Sequence, residues 1–173
     1  AAGLYVHITT QQVMDAMSPD AQGLLAVVAT EEATGSEALA AALEGARLVA
    51  VLTQAQDPGN AGTIIRAADA AGADAVVLVR GSVDPTAPKV VRSTAGSLFH
   101  LPVVTGVALD DAVTALHNAG LTVLAADGRG DFDLFEVESL LEAPSAWLLG
   151  NEAHGLPSEA LSRADAVVSI PIY

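Results

Sequence analysis

Apolar runs of strand length recur along the chain: LLAVVA (24–29), RLVAVLT (47–53), DAVVLV (74–79), LTVLAA (121–126), AWLLG (146–150) and AVVSI (166–170). Each run is continuous rather than alternating, which is the pattern of a strand covered on both faces. Between them, apolar positions fall at helical spacing over 36–46, 61–73, 108–120 and 158–164. Strand and helix therefore alternate, which predicts an α/β domain with a parallel sheet and helices on both faces. Boundary residues agree. Ser36, Asn60 and Ser158 suit N-caps, Asp110 or Asp111 starts the third long helix, and Gly120 ends it. Residues 1–35 fit less well, because the polar stretch ATEEATGSE (29–37) separates the run at 24–29 from the repeating unit.

Composition narrows the core and the setting. Hydrophobic residues make up 51% of the chain and aromatics only 3%, so the core is built from Ala, Val, Leu and Ile. No apolar run approaches the roughly 18 residues of a membrane span, and the N-terminus lacks the basic start and apolar block of a signal peptide. A soluble, cytoplasmic protein without membrane contact is expected. There is no cysteine, and His7, His100, His117 and His154 lack ligand spacing, so no metal site is expected.

The formal net charge of −14 argues against coating nucleic acid by bulk electrostatics. Its distribution qualifies this. Four of the seven basic residues, Arg66, Arg80, Lys89 and Arg92, fall in one central stretch. They read either as a local basic patch or as solvated surface charges.

In an open parallel sheet ligands bind beyond the carboxyl ends of the strands. The segments there are TQAQDPGN, VRGSVDPT, ADGRGDFD, GNEAHGLP and IPIY. None carries a complete G-x-G-x-x-G, and the chain has no phosphate-loop, nucleophile-elbow or zinc-protease motif. In LLGNEAHGLP, Gly150 follows a buried strand and would let a ligand lie against the backbone, with Asn151 and Glu152 projecting into the crevice. The plainer alternative is a polar turn. In DPGNAGTIIRAADAAGA, Ile64, Ile65, Ala68 and Ala71 form the apolar face of a helix that also carries Arg66. The plain reading of Arg66 is an exposed pair with Asp69, worth roughly 0.2–0.5 kcal/mol.

Taken in order, DPGNAGTIIRAADAAGA (57–73), VVRSTAGSLFHLPV (90–103), LLGNEAHGLP (148–157) and VSIPIY (168–173) resemble the SpoU (TrmH) branch of the SPOUT RNA methyltransferases. The resemblance covers about residues 20–173. It implies a trefoil-knot methyltransferase fold over 31–173, preceded in 1–30 by the tail of a small RNA-recognition domain and a linker. In the family the last motif continues into a Ser-Leu-Asn run and a knot-forming helix, which this chain, stopping at Tyr173, lacks.

The implied activity is transfer of a methyl group from S-adenosylmethionine to a ribose 2′-hydroxyl of structured RNA. Ribosomal RNA is favoured, with transfer RNA or a non-catalytic RNA-binding role as alternatives. By the same resemblance Arg66, Asn60 and Glu152 are the catalytic residues. Ala126, Leu149, Gly150, Ile170 and Ile172 hold the cofactor, and the protein is a homodimer. Arginine, with a pKa above about 12, is a poor base, so Arg66 is expected first to bind phosphate and orient the hydroxyl. Asn60 would hold its turn or the substrate, and Glu152 would orient Arg66 or Asn60.

Overall fold

The structure, a computed structural model, describes residues 5–29, 33–136, 138–151 and 155–171. The chain divides into two compact units, Ala1–Glu31 and Glu32–Tyr173. The first holds one helix, α1 (Gln11–Met17), capped by Thr10, whose hydroxyl accepts the Val13 amide at 3.4 Å. Residues 24–29, expected as a strand, have no regular structure, and Leu24 and Val27 are 90% and 83% exposed. A strand needs a neighbour to pair its backbone groups, and an apolar run alone does not supply one.

The second unit contains α2 (Gly35–Ala42), β1 (Leu48–Leu52), α3 (Pro58–Ala70), β2 (Ala75–Val79), α4 (Pro88–Ser93), a 3-10 turn (Ser97–Phe99), β3 (Val103–Val107) and α5 (Leu109–Asn118). It continues with β4 (Thr122–Ala126), β5 (Phe132–Asp133), a 3-10 turn (Leu134–Glu136), α6 (Glu138–Glu142), β6 (Ser145–Leu149), α7 (Ser158–Arg163) and β7 (Ala166–Ser169). The seven strands form one sheet in the order β3-β2-β1-β6-β4-β7-β5, and every pairing is parallel.

Successive strand residues point to opposite faces, so each buried strand feeds two cores. Val49, Val51, Val123 and Ala125 pack with Leu39 of α2 and Leu43 just after it, Ala112 and Leu116 of α5, and Ala160 of α7. Ala50, Leu52, Val76 and Leu78 pack on the other face with Ala61, Ile65 and Ala68 of α3 and Val90 of α4. Each fully buried Leu, Ile or Val contributes about 1.5–3 kcal/mol. The α3–α4 contact depends on Gly62: a Cβ there would collide with the Ser93 side chain, whose hydroxyl donates to the Pro58 and Val90 carbonyls at 3.0 and 2.9 Å.

The caps differ from expectation. Asp57, not Asn60, caps α3, because Pro58 takes the first helical position, where its missing N–H costs nothing. Thr34, Ala108 and Pro157 occupy the N-cap positions of α2, α5 and α7, leaving Ser36 and Ser158 inside their helices. Asp110 and Asp111 lie in the first turn of α5, where carboxylates meet the positive end of the helix dipole.

Some of the acidic charge ties strand starts together. Asp74, just before β2, accepts the Arg47 and Leu48 amides at 2.7 and 3.0 Å, and these bonds hold its carboxyl below the usual range. Asp165, before β7, accepts the Val123 amide at 2.8 Å and lies 3.0 Å from His117 Nε2. Among the described residues no helix is long and apolar enough to cross a membrane.

Candidate active site

Strand order reverses between β1 and β6: β1, β2 and β3 step outward in one direction, and β4 and β7 lie in the other. The carboxyl ends of β1 and β6 at such a switch point are where open α/β sheets bind ligands. Here the structure brings the loop that leads into DPGNAG (57–62) beside LLGNEAHGLP (148–157). Buried Thr53, at the end of β1, donates its amide and its hydroxyl to the Leu149 carbonyl of β6, at 2.9 and 3.1 Å.

The β1–α3 loop is fixed along its length. Gln54 adopts a left-handed backbone with φ of 55°, uncommon for a residue with a side chain. The Ala55 amide donates to the Ser82 hydroxyl at 3.2 Å, and its carbonyl accepts the Val83 amide at 2.7 Å. The Asp57 carboxylate then accepts the Asn60 amide at 2.9 Å. Asn60, half-buried, is thereby held in the first turn of α3 beside the strand ends.

Arg66 lies six residues further along, about 9 Å along the helix axis. Its side chain is exposed and makes no hydrogen bond or ion pair with any described residue. The expected pair with Asp69 does not form. Asp69 instead accepts from the Ser97 side chain and lies 2.8 Å from His100 Nδ1, and these bonds, Ser97 foremost, lower its pKa. The basic stretch is divided too. Arg66, Lys89 and Arg92 lie on the packed helices α3 and α4, whereas Arg80 donates to the Gly106 carbonyl at 3.2 Å on the far side.

The expected cofactor residues fall on adjacent strand ends. Register sets Ala126 of β4 opposite Leu149 of β6 and Val168 of β7, and Ile170, 53% exposed, follows β7. Gly150 has a reason other than ligand approach. Asn151 and Gly155 exchange backbone hydrogen bonds at 3.1 and 2.6 Å, folding the loop back so that a Cβ at Gly150 would collide with the backbone of Gly155 and Leu156. Glu152 and Ile172 lie outside the described residues.

Sequence reading missed Asp127. Its side chain is 6% exposed and accepts the Arg129 amide, Nε and Nη2 at 3.0, 2.9 and 3.0 Å. It also accepts the Leu156 amide, while its own amide donates to Val168 at 3.1 Å. One carboxylate thus joins the loops after β4 and β6, and its backbone ties both to β7. The Arg129 guanidinium, first among these partners, lowers its pKa from 3.8 to about 2. The signal in the sequence was an acid directly after a buried strand with an arginine two residues on.

A cleft of about 480 Å³ opens at the same carboxyl strand ends on the α5 and α7 side, lined in part by Thr53, Gln54, Arg80, Asp110, Pro157 and Glu159. Its carboxylates suit no polyanion, and none of the expected site residues lines it.

A doubly covered parallel sheet whose two glycine-flanked polar motifs meet at its switch point defines an α/β ligand-binding domain. Residues 47–173 match the SpoU rRNA Methylase family, and the chain belongs to that family. It is 39% identical over 134 residues to the Bacillus subtilis 23S rRNA (guanosine(2553)-2'-O)-methyltransferase RlmP, covering 76% of this chain and 52% of that protein. It is also 39% identical over 120 residues to a Streptomyces viridochromogenes 23S rRNA (uridine(2479)-2'-O)-methyltransferase, covering 66% and 41%. Among solved structures it resembles an rRNA methyltransferase from Sinorhizobium meliloti, with TM-score 0.81, 30% identity and coverage of 95% and 62%. The S. viridochromogenes SpoU methyltransferase AviRb in complex with AdoMet gives TM-score 0.66 at 36% identity, with coverage of 72% and 51%. The chain spans about half the length of the relatives it matches.

Proposed function

We propose that residues 31–173 form the catalytic domain of an RNA methyltransferase that transfers a methyl group to a ribose 2′-hydroxyl, with ribosomal RNA as substrate. The observation that carries this reading is the junction of the two motifs at the β1/β6 switch point, with the apolar strand ends of β4 and β7 beside it. Those strand ends fit an adenosyl group. Ala126, Leu149 and Ile170 offer small and apolar side chains next to backbone polar groups, with Gly150 and Ile172 completing the set. When bound, S-adenosylmethionine supplies the activated methyl group.

The protein's task is then to place the ribose oxygen in line with that methyl and help it lose its proton. Arg66 binds an RNA phosphate and orients the hydroxyl on this reading, which its exposure and its lack of a hydrogen bond or ion pair with any described residue support. Its high pKa makes it a positioning group before a base. Asn60, held in the first turn of α3 by Asp57, contacts the substrate, and Glu152 orients Arg66 or Asn60. Residues 1–30 are, on this reading, the tail of an RNA-recognition domain and a linker. The enzyme works in the cytoplasm as a homodimer, as the family resemblance implies.

The test is tritium transfer from labelled S-adenosylmethionine to unmodified 23S rRNA and tRNA transcripts by the full-length protein. The expected product is one alkali-resistant phosphodiester next to the modified ribose, in the rRNA. Transfer to tRNA alone would reassign the substrate, and transfer to neither would leave a non-catalytic RNA-binding protein.

A further inference from the structure

Gly62, Arg66 and Asp69 share one stripe of α3, at i, i+4 and i+7. Both ends of the stripe are occupied by the same passing segment. Ser93 lies against Gly62, and Ser97 and His100 bond to Asp69. Residues 93–100 therefore run alongside the stripe, and Arg66 lies between the two contacts.

That segment is anchored firmly. Thr94 is fully buried with its hydroxyl donating to the Val91 carbonyl at 2.7 Å, Ser97 is 5% exposed, and Leu101 is in the core. The turn between them carries Ala95 and Gly96 at φ of 50° and 103°. A left-handed alanine is a strained position that persists only where its surroundings enforce it. What this turn presents is Phe99, held by a hydrogen bond from its amide to the Gly96 carbonyl at 3.0 Å, with its side chain 66% exposed. Folding thus leaves this ring outside, as it does Phe132 and Phe135 at 47% and 76% exposed, although burial of such a ring would contribute about 1.5–3 kcal/mol. Phe99 differs from them in lying on the segment that runs along α3.

We propose that Phe99 is a stacking platform for an unpaired RNA base next to the target ribose. Arg66 and Lys89 take the adjoining phosphates. This rests on the RNA methyltransferase reading and adds to it the form of RNA presented: a nucleotide out of its helix, because only an unstacked base offers a face to a side chain. Charge complementarity supports this occupant. Arg66, Lys89 and Arg92 lie on α3 and α4, which pack together, and α3 also packs on the 97–99 turn, on a protein with net charge −14; Lys89 lies 4.0 Å from Asp57, at the start of the same helix α3.

The test compares Phe99→Ala, Phe99→Leu and Phe99→Trp in the full-length protein, with unmodified 23S rRNA transcript as probe. Phe99→Ala is expected to raise the KM for RNA about tenfold, within the range of lost base stacking. Its affinity for S-adenosylhomocysteine and the salt dependence of RNA binding should stay as in wild type, since no phosphate contact is lost. Phe99→Trp should restore the KM and show tryptophan quenching, beyond that of wild type, when RNA is added without methyl donor. Phe99→Leu should not restore it. An unchanged KM in Phe99→Ala, or full rescue by Phe99→Leu, would overturn the proposal. Quenching without methyl transfer by any form would uphold the platform while refuting the enzymatic reading.

Discussion

The carboxylate of Asp127 receives three nitrogens of Arg129, two residues on, and the amide of Leu156 from a different loop. Asp127→Asn should lower stability by about 2 kcal/mol, the range for hydrogen bonds to a buried charged group, and weaken S-adenosylhomocysteine binding by loosening the β4 and β6 loops together. The pH dependence has a definite sign. The folded pKa of about 2 lies below the ordinary 3.8, so the stabilisation is present above about pH 4 and fades as pH falls from there toward 2. Thermal melts between pH 2.5 and 7 should show this acid slope in wild type and a shallower one in Asp127→Asn.

Arg66 is exposed and makes no hydrogen bond or ion pair with any described residue, so its removal should cost little stability. Arg66→Ala is expected to melt within about 0.5 kcal/mol of wild type while losing methyl transfer. Arg66→Lys keeps the charge but not the guanidinium fork, and should lose at least about tenfold in turnover. Full turnover by the lysine variant would remove Arg66 from the mechanism.

Gly62 and Ser93 set how closely α3 and α4 approach. Gly62→Ala should destabilise by about 1–3 kcal/mol through overpacking. Combining it with Ser93→Gly should recover part of that loss. A double-mutant cycle in urea would measure the coupling, and additive losses would show that the two positions do not clash.

Asp74→Asn keeps one acceptor near Arg47 and Leu48 but removes the charge that their amides favour. The expected loss is about 1 kcal/mol or less, because the site is exposed. Since the folded pKa is lowered, the difference from wild type should be full near neutral pH and should vanish as pH falls below the ordinary carboxylate range. Chemical denaturation at pH 3 and pH 7 distinguishes this from a pH-independent packing effect.

Strands β1, β2, β4, β6 and β7 were legible because each is a continuous apolar run, which is what burial on two faces requires. Strand β3 was not, since Thr105 and Gly106 interrupt its run; β5 is only two residues long. The run at 24–29 has the same composition as a strand, yet a strand is defined by its pairing partners. At the site, the placement of both motifs followed from the sheet alone. The partner of Asp69 did not, because His100 is 31 residues away and outcompetes the neighbour three residues off. The role of Asp127 was hidden for the same reason, its contact with Leu156 being long-range.

The bonds from Thr53 to Leu149 join residues 96 positions apart, on strands that become neighbours only once β6 is seated between β1 and β4. Contacts of such separation carry a large loop-closure entropy before any interaction rewards it, which makes them slow to form. The two halves of the site are therefore assembled late in folding. The strand ends that line the candidate site meet only after the insertion of a central strand, so refolding from denaturant should recover helical signal well before it recovers affinity for S-adenosylhomocysteine.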